Sequence, residues 1–138
     1  MSDWNRKIIE EFRANEGRVG GNFEGRTLLL LHHTGAKSGA EYINPLAYQR
    51  LSDDSVAVFA SAGGAPKNPD WYYNLVANPD VQVEIGTESF TARARVTSGD
   101  ERPEIGERQK ADWPGFADYE EKTTGIREIP VVVLDLQR

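Results

Sequence analysis

The links between the β-forming segments of this chain are short, and their length limits how its strands can pair. Thr27–Thr34 is rich in leucine, and the glycine-bearing turn TGAKSG joins it to the β-formers of Glu41–Arg50. A second pair of such segments, Val81–Ile85 and Ser89–Thr97, is joined through a Gly-Thr link. Links this short form hairpins, whereas parallel strands need crossovers of about a dozen residues or more. The pattern therefore predicts an antiparallel sheet or barrel rather than a parallel βαβ sheet.

The remaining segments complete a small, mainly β domain with appended helices. We expect a third strand at Ser55–Ser61 and a last strand at Ile129–Leu136. Helices are predicted at residues 3–15, Pro69–Ala77, Glu101–Ala111 and Gly115–Thr123. Six strands in 138 residues suit a closed or split antiparallel β-barrel of the α+β class, with an N-terminal helix, one inserted helix and C-terminal helices. We divide the chain into an N-terminal helix and linker, residues 1–22, and a barrel domain, residues 23–138.

Composition excludes several kinds of chemistry. The chain has no cysteine, so it has no disulfide, thiol nucleophile or thiolate metal site. It also lacks a G-x-S-x-G nucleophile elbow, which argues against a hydrolase. Its net charge of -6 argues against a nucleic-acid partner, since nucleic-acid binders usually present a basic face.

The two histidines, His32 and His33, are neighbours on a predicted strand. Successive strand side chains point to opposite faces, so the two imidazoles cannot readily chelate one ion. We therefore predict no metal site, with one histidine in the core or lining a pocket and the other facing outward.

The N-terminal helix has an apolar face formed by Trp4, Ile8, Ile9 and Phe12. Packing on the body of the protein is the simpler interpretation, and the alternative is a lid or a surface helix that touches a membrane or the substrate. The other face mixes acidic and basic residues, unlike that of a strongly basic membrane-binding helix. Because the first residues lack the apolar core of a signal peptide, we expect a cytoplasmic protein, with peripheral membrane contact left open.

Residues 34–39, TGAKSG, form the first of two small-residue turns that each carry a lysine. The backbone N–H groups of this turn, Lys37 and the Ser38 hydroxyl converge, as in a nest for a phosphate or carboxylate. An ordinary hairpin turn with a solvated lysine fits the pattern equally well.

The second such turn lies within residues 60–75, where small residues allow a flat ligand to approach the backbone closely. Lys67 precedes the inserted helix, whose N-terminus favours anions, and Asn68 is its candidate N-cap, with Pro69 in its first turn. Three consecutive aromatic residues follow on that helix, namely Trp71, Tyr72 and Tyr73. Two lysine-bearing turns in an acidic chain suit a planar, anionic cofactor with a charged tail.

These segments together resemble the deazaflavin-dependent nitroreductase family, which comprises F420H2-dependent reductases with an FMN-binding-like split β-barrel. The matching stretches are TLLLLHHTGAKSGAEYINPLAY, VFASAGGAPKNPDWYYNLVANPDVQVEIG and FADYEEKTTGIREIPVVVL, in order over residues 25–135. The resemblance implies that the cofactor is coenzyme F420, an 8-hydroxy-5-deazaflavin with a phosphate and an oligoglutamate tail.

The resemblance also implies a set of site residues. Lys37 and Ser38 would hold the anionic part of the cofactor, and Tyr119 is the candidate proton donor or hydrogen-bond partner of the substrate. The full set of implied cofactor-binding residues is Lys37, Ser38, Tyr42, Ile43, Asn44, Pro45, Leu46, Ala47, Phe59, Ala60, Ser61, Ala62, Lys67, Asp70, Trp71, Tyr72, Asn74 and Phe116.

The chain departs from the family pattern at three of these positions. Tyr42 stands where many members carry arginine, Phe116 where some carry tyrosine, and Ala62 where some carry lysine. One anion contact and one hydroxyl group of the family are therefore missing here.

The function implied is hydride transfer from reduced F420 to a small-molecule acceptor, either a quinone or an activated nitro compound. The cofactor would carry the difficult chemistry, which agrees with a chain poor in nucleophiles and metal ligands. Two alternatives remain open, a non-catalytic deazaflavin carrier and an FMN-binding split-barrel protein. A homodimer is compatible with the resemblance.

Overall fold

The structure is a computed structural model, and it describes residues 3–15, 28–60, 67–112, 115–126 and 129–137. The described strands are β1 (Leu28–Thr34), β2 (Glu41–Ser52), β3 (Ser55–Phe59), β4 (Asp80–Ile85), β5 (Glu88–Val96) and β6 (Val131–Gln137). The described helices are α1 (Asp3–Ala14), α2 (Asp70–Ala77), α3 (Glu101–Asp112) and α4 (Gly115–Thr123). Every predicted strand and helix is confirmed, with small shifts at the ends.

The six strands close into one antiparallel barrel in the order β1-β2-β3-β6-β5-β4. The two predicted hairpins are present, β1 with β2 and β4 with β5. Closure needs three further pairings between strands distant in sequence: β1 with β4, β6 with β3, and β6 with β5. The predicted antiparallel barrel is therefore confirmed, and closure leaves none of these strands with a free edge.

The alternation of side chains along β1 and β2 divides the barrel interior from the surface under α1. Leu29 and Leu31 belong to the interior core, whereas Leu28 and Leu30 pack with α1. On β2, Leu46 and Tyr48 pack against the interior core, and Ile43 and Ala47 pack on the α1 side. This alternation follows from the two-residue period of a strand, and it decides which side chains can reach a site at the end of the barrel.

Helix α1 packs on the barrel through Ile8, Ile9 and Phe12, which are all buried. The simpler of the two interpretations of its apolar face is therefore confirmed. At its last turn, Arg13 Nε and Nη2 donate to the carboxylate of Glu84 on β4 at 3.1 and 2.8 Å. None of the helices in the described residues is both long and apolar enough to cross a bilayer. The cytoplasmic location stays a prediction.

Helices α3 and α4 cover another side of the barrel. Ile105 of α3 packs with Val131 and Val133 of β6. Phe116 of α4 is 1% exposed, and its ring centroid lies 5.1 Å from that of Phe59 at the end of β3. This aromatic pair anchors α4 near the point where the chain leaves β3.

The start of α2 differs from the prediction. Its N-cap is Pro69, with φ -68° and ψ 154°, and no side chain caps the helix. Asn68 as the N-cap, and Pro69 in the first turn, are therefore wrong by one residue. Proline fits the cap position because its fixed φ suits extended backbone as well as the first helical turn.

Candidate functional site

A cleft of about 880 Å³ opens between α2 and the tip of the β1–β2 hairpin, residues 35–40. We call it the hairpin–α2 cleft. Its lining residues are His33, Gly35, Ala36, Lys37, Ser38, Tyr42, Asn44, Pro69, Asp70, Trp71, Tyr73 and Asn74. Its volume falls within the range of small-molecule and cofactor sites, roughly 300–1,000 Å³.

Seven of the predicted cofactor-binding residues meet in this cleft. They come from the hairpin tip, from β2 and from α2, and they are Lys37, Ser38, Tyr42, Asn44, Asp70, Trp71 and Asn74. The two motifs picked out in the sequence, TGAKSG and the segment that includes α2, therefore form the two walls of one cleft.

The hairpin tip is a tight turn held by its own backbone. Gly35 N–H donates to Ala40 O at 2.8 Å, and Gly39 N–H donates to Gly35 O at 3.0 Å. Gly39 has a φ of +71°, a left-handed conformation that favours glycine. The Ser38 hydroxyl accepts a hydrogen bond from Ala40 N–H at 3.2 Å. Lys37 therefore projects from a defined turn.

Within the residues that the structure describes, Lys37 makes no ion pair, whereas several arginines on or beside the barrel do. Arg13, for example, is bound to Glu84, and Arg95 to Glu101 and Asp135. Asp70 in the first turn of α2 is the acidic side chain that lines the same cleft. The cleft thus presents a cation at the hairpin tip and an anion on the opposite wall.

A buried polar network joins the walls behind Lys37. Ala36 N–H donates to Asn74 Oδ1 at 2.9 Å, Asn74 Nδ2 lies 3.0 Å from His33 Nδ1, and His33 Nε2 lies 2.7 Å from Asn44 Oδ1. The ring of His33 also stacks on that of Tyr42, with 5.7 Å between centroids. Side chains of β1, β2 and α2 are therefore held in one arrangement.

The hydrogen-bond donors in this network determine which ring nitrogen of His33 carries the proton. The backbone N–H of Ala36 can only donate, so the Asn74 oxygen must face it and the Asn74 amide nitrogen must face His33. His33 Nδ1 is then the acceptor, and Nε2–H donates to Asn44. Burial lowers the pKa of His33, against a smaller opposing effect of the Asn44 hydrogen bond. The network thus contains a neutral imidazole protonated at Nε2.

His32 points to the opposite face, as predicted. Its Nε2 lies 2.6 Å from Glu84 Oε2 and its Nδ1 lies 3.2 Å from Glu41 Oε1. The hydrogen bonds from Arg13, more than the single contact with His32, lower the pKa of Glu84. One histidine lines the cleft and the other joins a surface cluster, which confirms the prediction from their adjacency.

Several predicted cofactor-binding residues lie elsewhere. Ile43 and Ala47 pack against α1, and Pro45 lies opposite Leu30 in the β1–β2 ladder. Ala60 belongs to the interior core, and Leu46 and Tyr72 are partly buried against it.

Other predicted site residues lie near the exit of β3. Phe59 and Phe116 contact each other, and Tyr119 is half-buried on α4. Lys67 is exposed ahead of α2 and does not line the cleft. Ser61 and Ala62 lie outside the described residues. The motif-based set is therefore divided between the cleft, the interior core and the surface under α1.

Sequence reasoning missed five lining residues, namely His33, Gly35, Ala36, Pro69 and Tyr73, as members of the site. His33 carried a usable signal, since adjacency with His32 already predicted that one of the pair would be in the core or line a pocket. For β2, a strict two-residue period would have separated Tyr42 and Asn44, which line the cleft, from Ile43 and Ala47.

Comparisons with known proteins show which chains this one resembles in sequence and fold. A family model described as F420H(2)-dependent quinone reductase matches residues 4–136. An F420H(2)-dependent quinone reductase of Mycobacterium tuberculosis (strain ATCC 25618 / H37Rv) is 36% identical over 129 residues, which cover 89% of this chain and 83% of the relative.

Two solved structures are similar over most of the chain. One is an F420-H2 dependent reductase, FDR-A, with a TM-score of 0.70 and 37% identity, covering 78% of this chain and 93% of the other. The second is described as a domain-swapped dimer, with a TM-score of 0.72 and 33% identity, covering 96% of this chain and 98% of the other.

Proposed function

The chain belongs to the F420H(2)-dependent quinone reductase family, and we propose that its cofactor, coenzyme F420, binds in the hairpin–α2 cleft. The observation that supports this placement is that seven of the residues implied by the family motifs line one cleft of about 880 Å³. They come from three separate elements, so their meeting is a property of the fold rather than of one motif.

The side chains of the cleft fit the chemistry of the cofactor. F420 carries a phosphate and an oligoglutamate tail, and Lys37 is a cation without an ion-pair partner among the described residues. Ser38 adds a hydroxyl beside it on the same turn. We therefore assign Lys37 and Ser38 to the anionic part of the cofactor. Trp71 offers an apolar surface on the opposite wall, and Asn74 ties that wall to the hairpin tip.

We assign the residues near the exit of β3 to the ring end of the cofactor. Phe59 and Phe116 form an apolar aromatic pair there, and Ala60 precedes the small-residue segment that contains Ser61 and Ala62. These side chains would shield the reacting ring from water, which strengthens electrostatic interactions inside the site.

When bound, the reduced deazaflavin supplies a hydride, and the quinone receives it. The chain has to bind and orient both molecules, to exclude water and to provide a proton to the reduced acceptor. We propose that Tyr119, half-buried on α4 one turn after Phe116, donates that proton or a hydrogen bond to the acceptor. Activated nitro compounds are electrophiles of the same kind, and we propose them as additional acceptors.

Cofactor binding followed by turnover tests the proposal. Purified protein is titrated with F420 and with FMN, and the reduced F420 complex is then mixed with menadione, a soluble quinone. We expect binding of F420 in preference to FMN and oxidation of the cofactor faster than in protein-free buffer. Tight F420 binding without faster oxidation would support a carrier, and preference for FMN would contradict the placement of F420.

We also propose that the enzyme forms a homodimer. A solved relative that is 33% identical over 96% of this chain is described as a domain-swapped dimer. Light scattering after size exclusion, over a range of protein concentrations, should give twice the mass of one chain. A mass of one chain at every concentration would contradict the homodimer.

A further inference from the structure

His33 lies where a proton on its Nδ1 would change the hydrogen bonds at the back of the hairpin–α2 cleft. His33 is 4% exposed at the back of the cleft, and its ring contacts side chains from β2 and α2. The same Asn74 amide that donates to His33 Nδ1 holds Ala36, the residue that immediately precedes Lys37. A change at Nδ1 is therefore transmitted to the hairpin tip through one side chain.

We propose that His33 is a positioning residue for the cofactor, and that the cleft binds F420 well only while His33 Nδ1 is unprotonated. This inference rests on the proposed function, because it takes the hairpin–α2 cleft as the place where F420 binds. It assigns to His33 a role that does not require contact with the cofactor.

Protonation of Nδ1 would place two donors against each other. His33 Nδ1–H would face Asn74 Nδ2–H across the present 3.0 Å. If the Asn74 amide rotates so that its oxygen faces the imidazolium, its NH2 group faces Ala36 N–H instead. Without rotation, the hydrogen bond between Asn74 and His33 is lost and the side chain that holds Ala36 loses its support. With rotation, the hydrogen bond from Ala36 to Asn74 is lost, and this bond ties the hairpin tip to α2.

Several charged and titratable groups surround His33 and bear on its pKa. Lys37 on the hairpin tip and Asp70 on α2 line the same cleft, as do the phenol groups of Tyr42 and Tyr73. His32, the chain neighbour on the other face, adds a small repulsion. Burial is the largest of these effects, and it lowers the pKa of His33. The neutral form therefore persists at neutral pH, and the binding form is lost only on acidification.

The test measures F420 affinity by calorimetry between pH 5.0 and 8.0 for three proteins. The wild type should bind about 3–10-fold more weakly at the acid end than at neutral pH, the loss of one hydrogen bond. In His33→Gln, an amide can accept from Asn74 and donate to Asn44 without titrating, so the pH dependence due to the protein should disappear. His32→Gln removes the neighbouring imidazole on the opposite face and should keep the wild-type profile. Because titration of F420 itself affects all three proteins equally, it cancels when the two variants are compared.

A second measurement does not depend on the cofactor. In ligand-free protein, nitrogen NMR of the imidazole should show Nδ1 unprotonated and Nε2 protonated for His33. The Ala36 amide resonance should shift with pH in the wild type and in His32→Gln but not in His33→Gln.

An Nδ1-protonated tautomer, or equal pH profiles for His33→Gln and the wild type, would overturn the inference. If F420 fails to bind at every pH, the proposed function fails, and the NMR titration alone decides the role of His33.

Discussion

Lys37 is the residue whose charge has the clearest assigned purpose. It projects from a tight turn into the cleft, and the described part of the chain offers it no carboxylate partner. Lys37→Ala should weaken F420 binding about 3–10-fold at low salt, where the Debye length is ~30 Å at 0.01 M. The loss should be smaller at 1 M salt, where screening acts within ~3 Å. Calorimetric titration at the two salt levels measures the difference.

The control for that experiment is Lys7→Ala. Lys7 is an exposed lysine of α1, so this variant changes the net charge of the protein equally and leaves the cleft untouched. It should bind F420 like the wild type at both salt concentrations. An equal loss in the two lysine variants would show that Lys37 acts through the overall charge of the protein and not at the cleft.

A substitution at Asn74 should reverse the direction in which the buried network shifts the pKa of His33. In Asn74→Asp, a carboxylate replaces the amide that donates to His33 Nδ1, while one oxygen can still accept from Ala36 N–H. A carboxylate at this distance stabilises the imidazolium, so the pKa of His33 should rise from below its ordinary value to above it. An NMR titration of His33 measures this change. Val76→Asp adds the same charge on the exposed side of α2 and should leave the pKa of His33 below its ordinary value.

At the scale of the elements, the strands and helices were predictable because their signals are local. The turn TGAKSG and the Gly-Thr link predicted two hairpins, and the spacing of aromatic and aliphatic residues predicted the helices. The ends depended on less local effects. Strand β2 continues to Ser52 because a register shift after Arg50 lets Ser52 pair with Ser55.

The candidate site was predictable only in part. Lys37 and Ser38 lie in one motif, and Trp71 and Asn74 in another, so the sequence could identify both walls. The contact between His33 and Asn74 spans 41 residues, and no local pattern indicates it. Ile43 and Ala47 belong to the family motif, but the two-residue period of the strand turns their side chains towards α1 and away from the cleft. That period can be read from the sequence and would have excluded both residues from the site.

Helix α1 owes part of its attachment to an ion pair with a defined pH dependence. Hydrogen bonds from Arg13 lower the pKa of Glu84. A lowered folded-state pKa contributes stability above the ordinary Glu value of ~4.3, and this contribution is lost as the pH falls through the folded-state value. Because Arg13 is half-exposed, Glu84→Gln should cost no more than about 1 kcal/mol at pH 7.

Urea denaturation of the wild type and Glu84→Gln at pH 7 and at pH 3 measures this contribution. The difference in the free energy of unfolding should shrink at the lower pH, because the contribution of a carboxylate with a lowered pKa falls as the pH approaches its folded-state pKa. Glu88→Gln removes an exposed carboxylate of β5 and should change stability little at either pH. A cost for Glu84→Gln that stays constant with pH would show that packing, and not the ion pair, holds this end of α1.

The whole molecule depends on a closure that the hairpins alone do not specify. Strand β6 comes from the end of the chain and pairs with both β3 and β5, so its residues complete the barrel. Both walls of the cleft depend on that closure, since β1 and β2 carry the hairpin tip and α2 packs against the interior core. The hairpin–α2 cleft is therefore a property of the closed barrel as well as of the two local motifs that form its walls.

A proline in β6 tests this dependence. Val133 is fully buried and lies opposite Ala57 of β3 and Arg95 of β5. Val133→Pro removes a backbone donor in the middle of a closed sheet and should cost about 3 kcal/mol or more, a large part of the ~5–15 kcal/mol that stabilises a typical domain. Thermal melts followed by circular dichroism should show a single transition at much lower temperature, or an unfolded chain. Gln137→Pro, at the exposed end of the same strand, should shift the transition only slightly. A Val133→Pro protein that keeps the wild-type melting temperature would mean that β6 does not hold the barrel closed.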